Sequence, residues 1–306
     1  MNALYAKKLP FNNPRRDGIC GTGKQHDAHE FLDYIFNVIF DELNIHRDKP
    51  DYQLTSPDPK LQRMSTIQSC IHEWKRYGES HQSALSDRFS GLVCESLQCS
   101  HCPYTNRQFT SFGGYYTIYF PSKYHQSPPA FDTPTRVGIR ELLEDTNNFG
   151  RKSEKINEWK CETCGNHQGI KSTKFAYLPE YLVFHFSRFG AGLSSSKVKT
   201  HIDLSSLDVD MGPFHITADD DVQADPGYDA GFQKVQKYEA YAAAMHQGNS
   251  LDGGHYVALT RNPDANTTSE TKRWHVFNDR QVSPGNFKDL ENRGFVVAVL
   301  FLKRKS

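Results

Sequence analysis

The spacing of apolar residues changes character once along the chain. Between Asp27 and Leu43, the residues Phe31, Leu32, Ile35, Phe36, Ile39, Phe40 and Leu43 recur at helical spacing. Asp27, with Glu30 three residues on, has the signature of a capping box, so a largely buried helix is predicted there. Residues 51–59 are polar and proline-bearing, a predicted loop, and Ile67, Ile71 and Trp74 mark a short second helix. Beyond Phe89 the apolar positions gather into short runs rich in aromatic and β-branched residues, at 109–120, 175–189, 256–260, 274–277 and 295–302. The last of these is uninterrupted, too short to cross a bilayer, and reads as a buried strand. Residues 121–134, 190–200, 208–231 and 261–272 have loop composition, and one further helix is expected near 138–147. Helices first and strands later, with no internal repeat, predict an α+β fold rather than a doubly wound parallel sheet.

Composition narrows the class. The chain has 306 residues, 37% of them hydrophobic. Its 21 glycines bring the apolar share to roughly 44%, close to the globular norm. Thirty-six basic side chains balance 36 acidic ones, so no global field favours nucleic acid or an anionic membrane. Residues 1–10 lack the pattern of a secretion signal. Eight aspartates and no Lys or Arg fall between Asp203 and Asp229, a solvated loop or a surface that steers toward a basic partner. Seven cysteines are an odd count, and four of them form two Cys-x-x-Cys pairs. That usage points to metal binding in a reducing compartment rather than to a disulfide framework. Residence inside the cell, in cytoplasm or nucleus, is the expectation.

The two pairs are Cys99-Ser-His-Cys102 and Cys161-Glu-Thr-Cys164, the second followed by Gly165, which permits a tight turn around a metal-bound thiolate. Four soft sulfurs suit tetrahedral Zn²⁺ in a closed, structural site that clips two distant strand pairs together. His101 is not needed as a ligand. Four free thiols and redox-active pairs are the alternatives, although neither knuckle has the βαβ context of a thioredoxin-like motif.

A second constellation lies near the C-terminus. Gly253-Gly254-His255 opens one strand and Asn278-Asp279 closes the next. An antiparallel hairpin with Thr260 opposite Arg273 would put His255 opposite Asn278, where an amide can orient an imidazole. That is the base-and-orienter half of a thiol hydrolase; a structural histidine at a strand end is the alternative.

Five motifs in order carry a resemblance. They are Gln25-His-Asp27-Ala-His-Glu30-Phe-Leu32; Phe89-Ser-Gly91 leading to Cys99-x-x-Cys102; Cys161-x-x-Cys164; Leu178-Pro179-x-x-Leu182-x-x-His185-Phe-Ser-Arg188-Phe189; and Gly254-His255-Tyr256 followed by Trp274-x-x-Phe277-Asn278-Asp279. Together, over residues 25–301, they resemble the ubiquitin-specific protease family of thiol-dependent deubiquitinases. The resemblance implies a papain-like cysteine protease fold with thumb, palm and zinc-bearing fingers that cradle ubiquitin. Residues 1–88 would form an incomplete helical thumb and 89–306 the fingers and palm. The fingers would lie at about 89–120 and 155–180 and the palm at about 180–306. In this reading His255 is the general base, Asn278 orients it and Asp279 assists. Asp27 and Glu30 would hold ubiquitin's basic C-terminal tail, with Gly254 and Tyr256 also against the substrate. Asp27 as a plain helix cap is compatible with that role.

The family's nucleophile is a cysteine in a Gly-Asn-x-Cys segment upstream of the Gln-x-Asp-Ala-His-Glu-Phe helix, and the sequence holds no such segment. Cys20, in Gly-Ile-Cys-Gly-Thr-Gly, sits in a glycine-rich loop rather than at a helix N-terminus that would lower its pKa. Cys70 and Cys94 fit no better, and Cys94 reads as a small core residue. A truncated, inactive form of a deubiquitinase is therefore expected, with Phe31, Ile35 and Phe36 left exposed on the first helix. A non-catalytic ubiquitin-binding module is the alternative. A zinc-ribbon nucleic-acid binder fits the knuckles but neither the neutral charge nor the hairpin. Ubiquitin and ubiquitinated proteins are the expected partners, with no nucleic acid and no membrane.

Overall fold

The computed structural model describes residues 27–46, 48, 61, 64–125, 135–147, 149, 154–189, 197–217, 236–249, 253–262 and 274–305. Cys20, the 51–59 loop and residues 218–229 of the aspartate-rich stretch lie outside them. Helix α1 spans Ala28–Leu43 and begins with the predicted capping box: the Asp27 carboxylate accepts from first-turn amides, and Glu30 accepts from the Asp27 N–H. Helix α2, Thr66–Ser80, starts at a second capping box, formed by Ser65 and Gln68, and runs well past the short helix predicted, with Tyr77 buried in its last turn. A single turn, α3 (Ser86–Phe89), leads into the strands. No helix among the described residues is long and apolar enough to cross a membrane.

The first strands in chain order are β1 (Gly91–Cys99), β2 (Thr105–Phe112), β3 (Tyr116–Tyr119), β4 (Arg136–Val137) and β5 (Glu154–Ile156), with helix α4 at Ile139–Asn147. Then come β6 (Gly169–Tyr177), β7 (Tyr181–Ser187), β8 (His201–Ile202), β9 (Asp208–Asp210) and β10 (Lys237–Gln247). The last are β11 (His255–Arg261), β12 (Trp274–Asn278), β13 (Gln281–Pro284) and β14 (Val296–Arg304), with helix α5 at Phe287–Asn292. They build a four-stranded antiparallel sheet in the order β2-β1-β6-β5. An eight-stranded sheet follows the order β13-β12-β11-β10-β14-β7-β3, with β9 alongside β10. β4 and β8 form a small parallel pair. The architecture is α+β, as predicted.

Two predicted runs are divided between these sheets. Run 109–120 breaks at Gly113-Gly114, where Gly114 has φ +82° and turns the chain from β2 in the small sheet to β3 in the large one. Run 175–189 breaks at Leu178-Pro179, because proline has no N–H for a ladder. Alanine-rich β10 carries little strand propensity, yet it lies between β11 and β14 in the large sheet, where neighbours on both sides override propensity.

Leu182, Phe184, Tyr238, Trp274 and Leu300 of the large sheet share the main core with Leu142 and Leu143 of α4. A second core joins Ile67 and Cys70 of α2 to Leu92, Cys94 and Phe109, and there Trp74 stacks on Tyr177 at 3.8 Å. The expected apolar patch on α1 is only partly present. Phe31 is 45% exposed and Ile35 half-buried, but Phe36 is 9% exposed, covered by Phe89 at 5.3 Å and by the turn at Gly114.

Candidate active site

The hairpin of β11 and β12 forms, with a register two residues away from the one predicted. Thr260 faces His275 rather than Arg273, and Ala258 faces Phe277, so His255 is not directly opposite Asn278. A slip of one residue would have sent the two side chains to opposite faces; a slip of two keeps them on the same one. Diagonal neighbours across a strand pair remain within reach. His255 Nε2 lies 2.6 Å from Asn278 Oδ1. An amide oxygen only accepts, so Nε2 carries a proton, and in the neutral ring Nδ1 keeps its lone pair. Phe295 meets the imidazole edge-on, with ring centroids 6.3 Å apart.

The neighbouring residues have definite places. Asp279 begins the two-residue turn from β12 to β13 with φ +51°, a left-handed conformation that Asp tolerates. It is exposed and makes no bond to His255 among the described residues. Gly254 must be glycine for a steric reason: a Cβ there would collide with His246 Nε2 and the Gln247 carbonyl.

Tyr256, one residue past His255, faces the other way along β11 and ties the sheet to α1. Its hydroxyl donates to Asp27 Oδ1 at 2.9 Å, the oxygen that also accepts the His29 N–H at 3.1 Å. Burial opposes the charge on Asp27, but bonds from His29 and Tyr256 outweigh it and hold the carboxyl well below the usual carboxylate range. Beside this contact lies a cavity of about 430 Å³ whose walls include Asp27, His29, Tyr115, His185, Lys197 and Tyr256. His246 completes that side, with its ring 4.5 Å from Tyr256.

The cavity histidines are shifted in opposite directions. His29 stacks on His185 at 4.3 Å and is raised by its bond to Asp27, while burial and the His29 charge push His185 down to about 4. Lys197 Nζ sits 2.6 Å from His246 Nδ1. Burial, then the nearby lysine, bring His246 down to about 4, and burial with Arg188 brings Lys197 down to about 8. Of these residues, sequence reasoning singled out Asp27 and Tyr256. His29 and His185 stood unassigned inside motifs, Lys197 fell in loop composition, and His246 carried no local signal at all.

The four knuckle cysteines converge. Cys99 and Cys102 lie at the turn from β1 to β2, and Cys161 and Cys164 lie between β5 and β6. Their sulfurs all lie within 4.8 Å of one another, with Cys99–Cys164 and Cys102–Cys161 each at 3.6 Å. A tetrahedron of Zn–S bonds at about 2.3 Å has edges of roughly 3.8 Å, so the four donors fit such an ion. The His101 amide donates to Cys99 Sγ at 3.4 Å, and Gly165 turns the second knuckle at φ +74°. The other described cysteines, Cys70 and Cys94, are buried in the second core.

The ubiquitin carboxyl-terminal hydrolase family profile matches residues 11–298, and the chain belongs to that family, as one of its ubiquitin-specific proteases. It is similar to human ubiquitin carboxyl-terminal hydrolase 2, at 26% identity over 85% of this chain and 37% of that protein. Bovine ubiquitin carboxyl-terminal hydrolase 21 is 29% identical over 85% of this chain and 43% of its own length. The chain thus spans less than half the length of these two relatives. Among solved structures it is similar to the SAGA Ubp8/Sgf11/Sus1/Sgf73 deubiquitinase module bound to ubiquitin aldehyde. That match has a TM-score of 0.58 and 20% identity, over 92% of this chain and 50% of that one. A likeness at that identity concerns the fold alone.

Proposed function

We propose that this chain carries the ubiquitin-recognition surface and the general base of a thiol-dependent deubiquitinase, which in the whole protein cleaves ubiquitin from its conjugates. The observation that carries this reading is the His255–Asn278 bond, which leaves Nδ1 free to take a proton. The next residue, Tyr256, turns to the other face of β11 and with Asp27 walls the cavity there. His255 is the base, Asn278 its orienter and Asp279 an exposed acidic neighbour. The cavity takes ubiquitin's basic C-terminal tail, with Asp27 and Glu30 supplying negative charge and Gly254 allowing close backbone approach. The four-stranded sheet serves as fingers, the eight-stranded sheet as palm and the helices before Gly91 as thumb. Cys99, Cys102, Cys161 and Cys164 hold a structural zinc ion, and reduced cysteines suit a place inside the cell. Ubiquitinated proteins are the substrates, and a related module has been solved with ubiquitin aldehyde bound.

One observation favours a second reading, a module that binds ubiquitin without cleaving it: all six described cysteines are committed to the tetrad or the core. Titration with ubiquitin, with ubiquitin lacking its C-terminal tail, and with ubiquitin vinyl sulfone separates the possibilities. Intact ubiquitin binds, and removing the tail or making Asp27→Ala weakens binding by about tenfold, the scale of a hydrogen bond to a charged group. Equal affinity for intact and tail-less ubiquitin would sink the cavity assignment. Covalent labelling, mapped to its residue, identifies a nucleophile such as Cys20; binding without labelling supports the module.

A further inference from the structure

We propose that Lys197 and His246 are positioning residues for His255: as a pair they fix where β11 begins, and so how His255 meets Asn278. The inference rests on the reading of His255 as a base. Lys197 is 7% exposed, and its ammonium has three acceptors: His246 Nδ1 at 2.6 Å, the His246 carbonyl at 3.1 Å and the Gly248 carbonyl at 3.1 Å. Three donors meet three acceptors, so the group is fully used and cannot serve a ligand as well. An ammonium has no acceptor, so His246 Nδ1 accepts and its proton resides on Nε2.

That Nε2 bears on Gly254, the residue before His255, with no room for a Cβ between them. The other side of the neck is as close. Gly248, at φ +142°, lies so near its return strand that a Cβ on it would stand 2.8 Å from the Gly253 carbonyl and 2.9 Å from the Gly254 Cα. The chain therefore leaves β10 and enters β11 through a closed neck, with Lys197 holding its outgoing limb and the His246 ring holding its returning limb. Across the ladder Gln247 pairs with His255, and its side chain donates to the Arg293 carbonyl at 2.6 Å, which anchors the strand ends to the approach to β14. Without the ammonium, two carbonyls and an imidazole lose their common partner, and the neck is free to shift by the fraction of an ångström that an oriented hydrogen bond cannot absorb.

The test is NMR of the whole chain with ¹⁵N-labelled histidine, without ubiquitin. In the native protein His246 and His255 are both expected as Nε2–H tautomers, with the His255 proton in slow exchange. Lys197→Met should lose the slow His255 proton and mix its tautomers, while one metal per chain and the circular dichroism spectrum are retained. Lys197→Arg, which keeps a charged donor, should recover part of the signal. His246→Gln is the second variant, expected to show the same loss should Lys197→Met not fold. A native His246 found as the Nδ1–H tautomer, or a folded variant with unchanged His255 resonances, overturns the proposal. Failure to bind ubiquitin while these signals behave as expected overturns only the reading of the site.

Discussion

His29 and His185 stack in parallel, 4.3 Å apart, yet their environments push their pKa values in opposite directions. The Asp27 carboxylate favours the protonated form of the first; burial, and then the charge that the first can carry, disfavour the protonated form of the second. The sign of the pH dependence follows. His185 and His246 titrate near 4 in the folded chain against an ordinary 6.5, so the unfolded chain binds more protons between those values. Their contribution to stability is complete above 6.5 and is lost as the pH falls toward 4. Each ring sets a limiting slope of about 1.4 kcal/mol per pH unit. His29, raised by Asp27, has the opposite sign: its contribution is present below 6.5 and fades as the pH rises through its folded value. Urea midpoints measured from pH 7 to pH 4 should therefore fall, and His185→Gln should make the fall shallower; equal slopes would contradict the assignment. Both residues stand in motifs visible in the sequence. Their stacking is not, because it joins α1 to β7 across a long stretch of chain.

Helix α1 shows how local and distant information combine in one element. Its periodicity and capping box are short-range properties, legible from Asp27, Glu30 and the apolar positions. Which face it buries depends on what it meets, and it meets the Gly113-Gly114 turn. A Cβ on Gly114 would stand 2.5 Å from the Phe36 ring and one on Gly113 would stand 3.2 Å from Phe40. Phe36 is covered for that reason, against the expectation of exposure. Gly114→Ala adds both the left-handed strain at φ +82° and this collision. A cost of about 2–4 kcal/mol is expected in urea denaturation, from strain and overpacking together. A loss under half a kilocalorie, roughly the scale of a neutral surface change, would mean that α1 docks elsewhere.

For the molecule as a unit, the cysteine tetrad ties the β1–β2 turn to the β5–β6 connection at one end of the four-stranded sheet, in addition to the β1–β6 ladder. Stripping the proposed zinc with a chelator should release one ion per chain and lower the melting temperature by on the order of 10 °C, as for a site worth several kcal/mol. An unchanged melting curve in metal-free protein would remove its structural role. The cysteine pairs, the first helix with its cap, most strands of the large sheet and the candidates His255 and Asn278 were all readable in one dimension. Each rests on the chemistry of its own side chain or on spacing within a few residues. The hairpin register, the division of two aromatic runs between sheets, the alanine-rich β10 and the cavity were not readable in this way. Tyr256 meets Asp27 and Lys197 meets His246 only because sheet order and packing carry distant segments together, and no local pattern of residues encodes a pairing made across such separations.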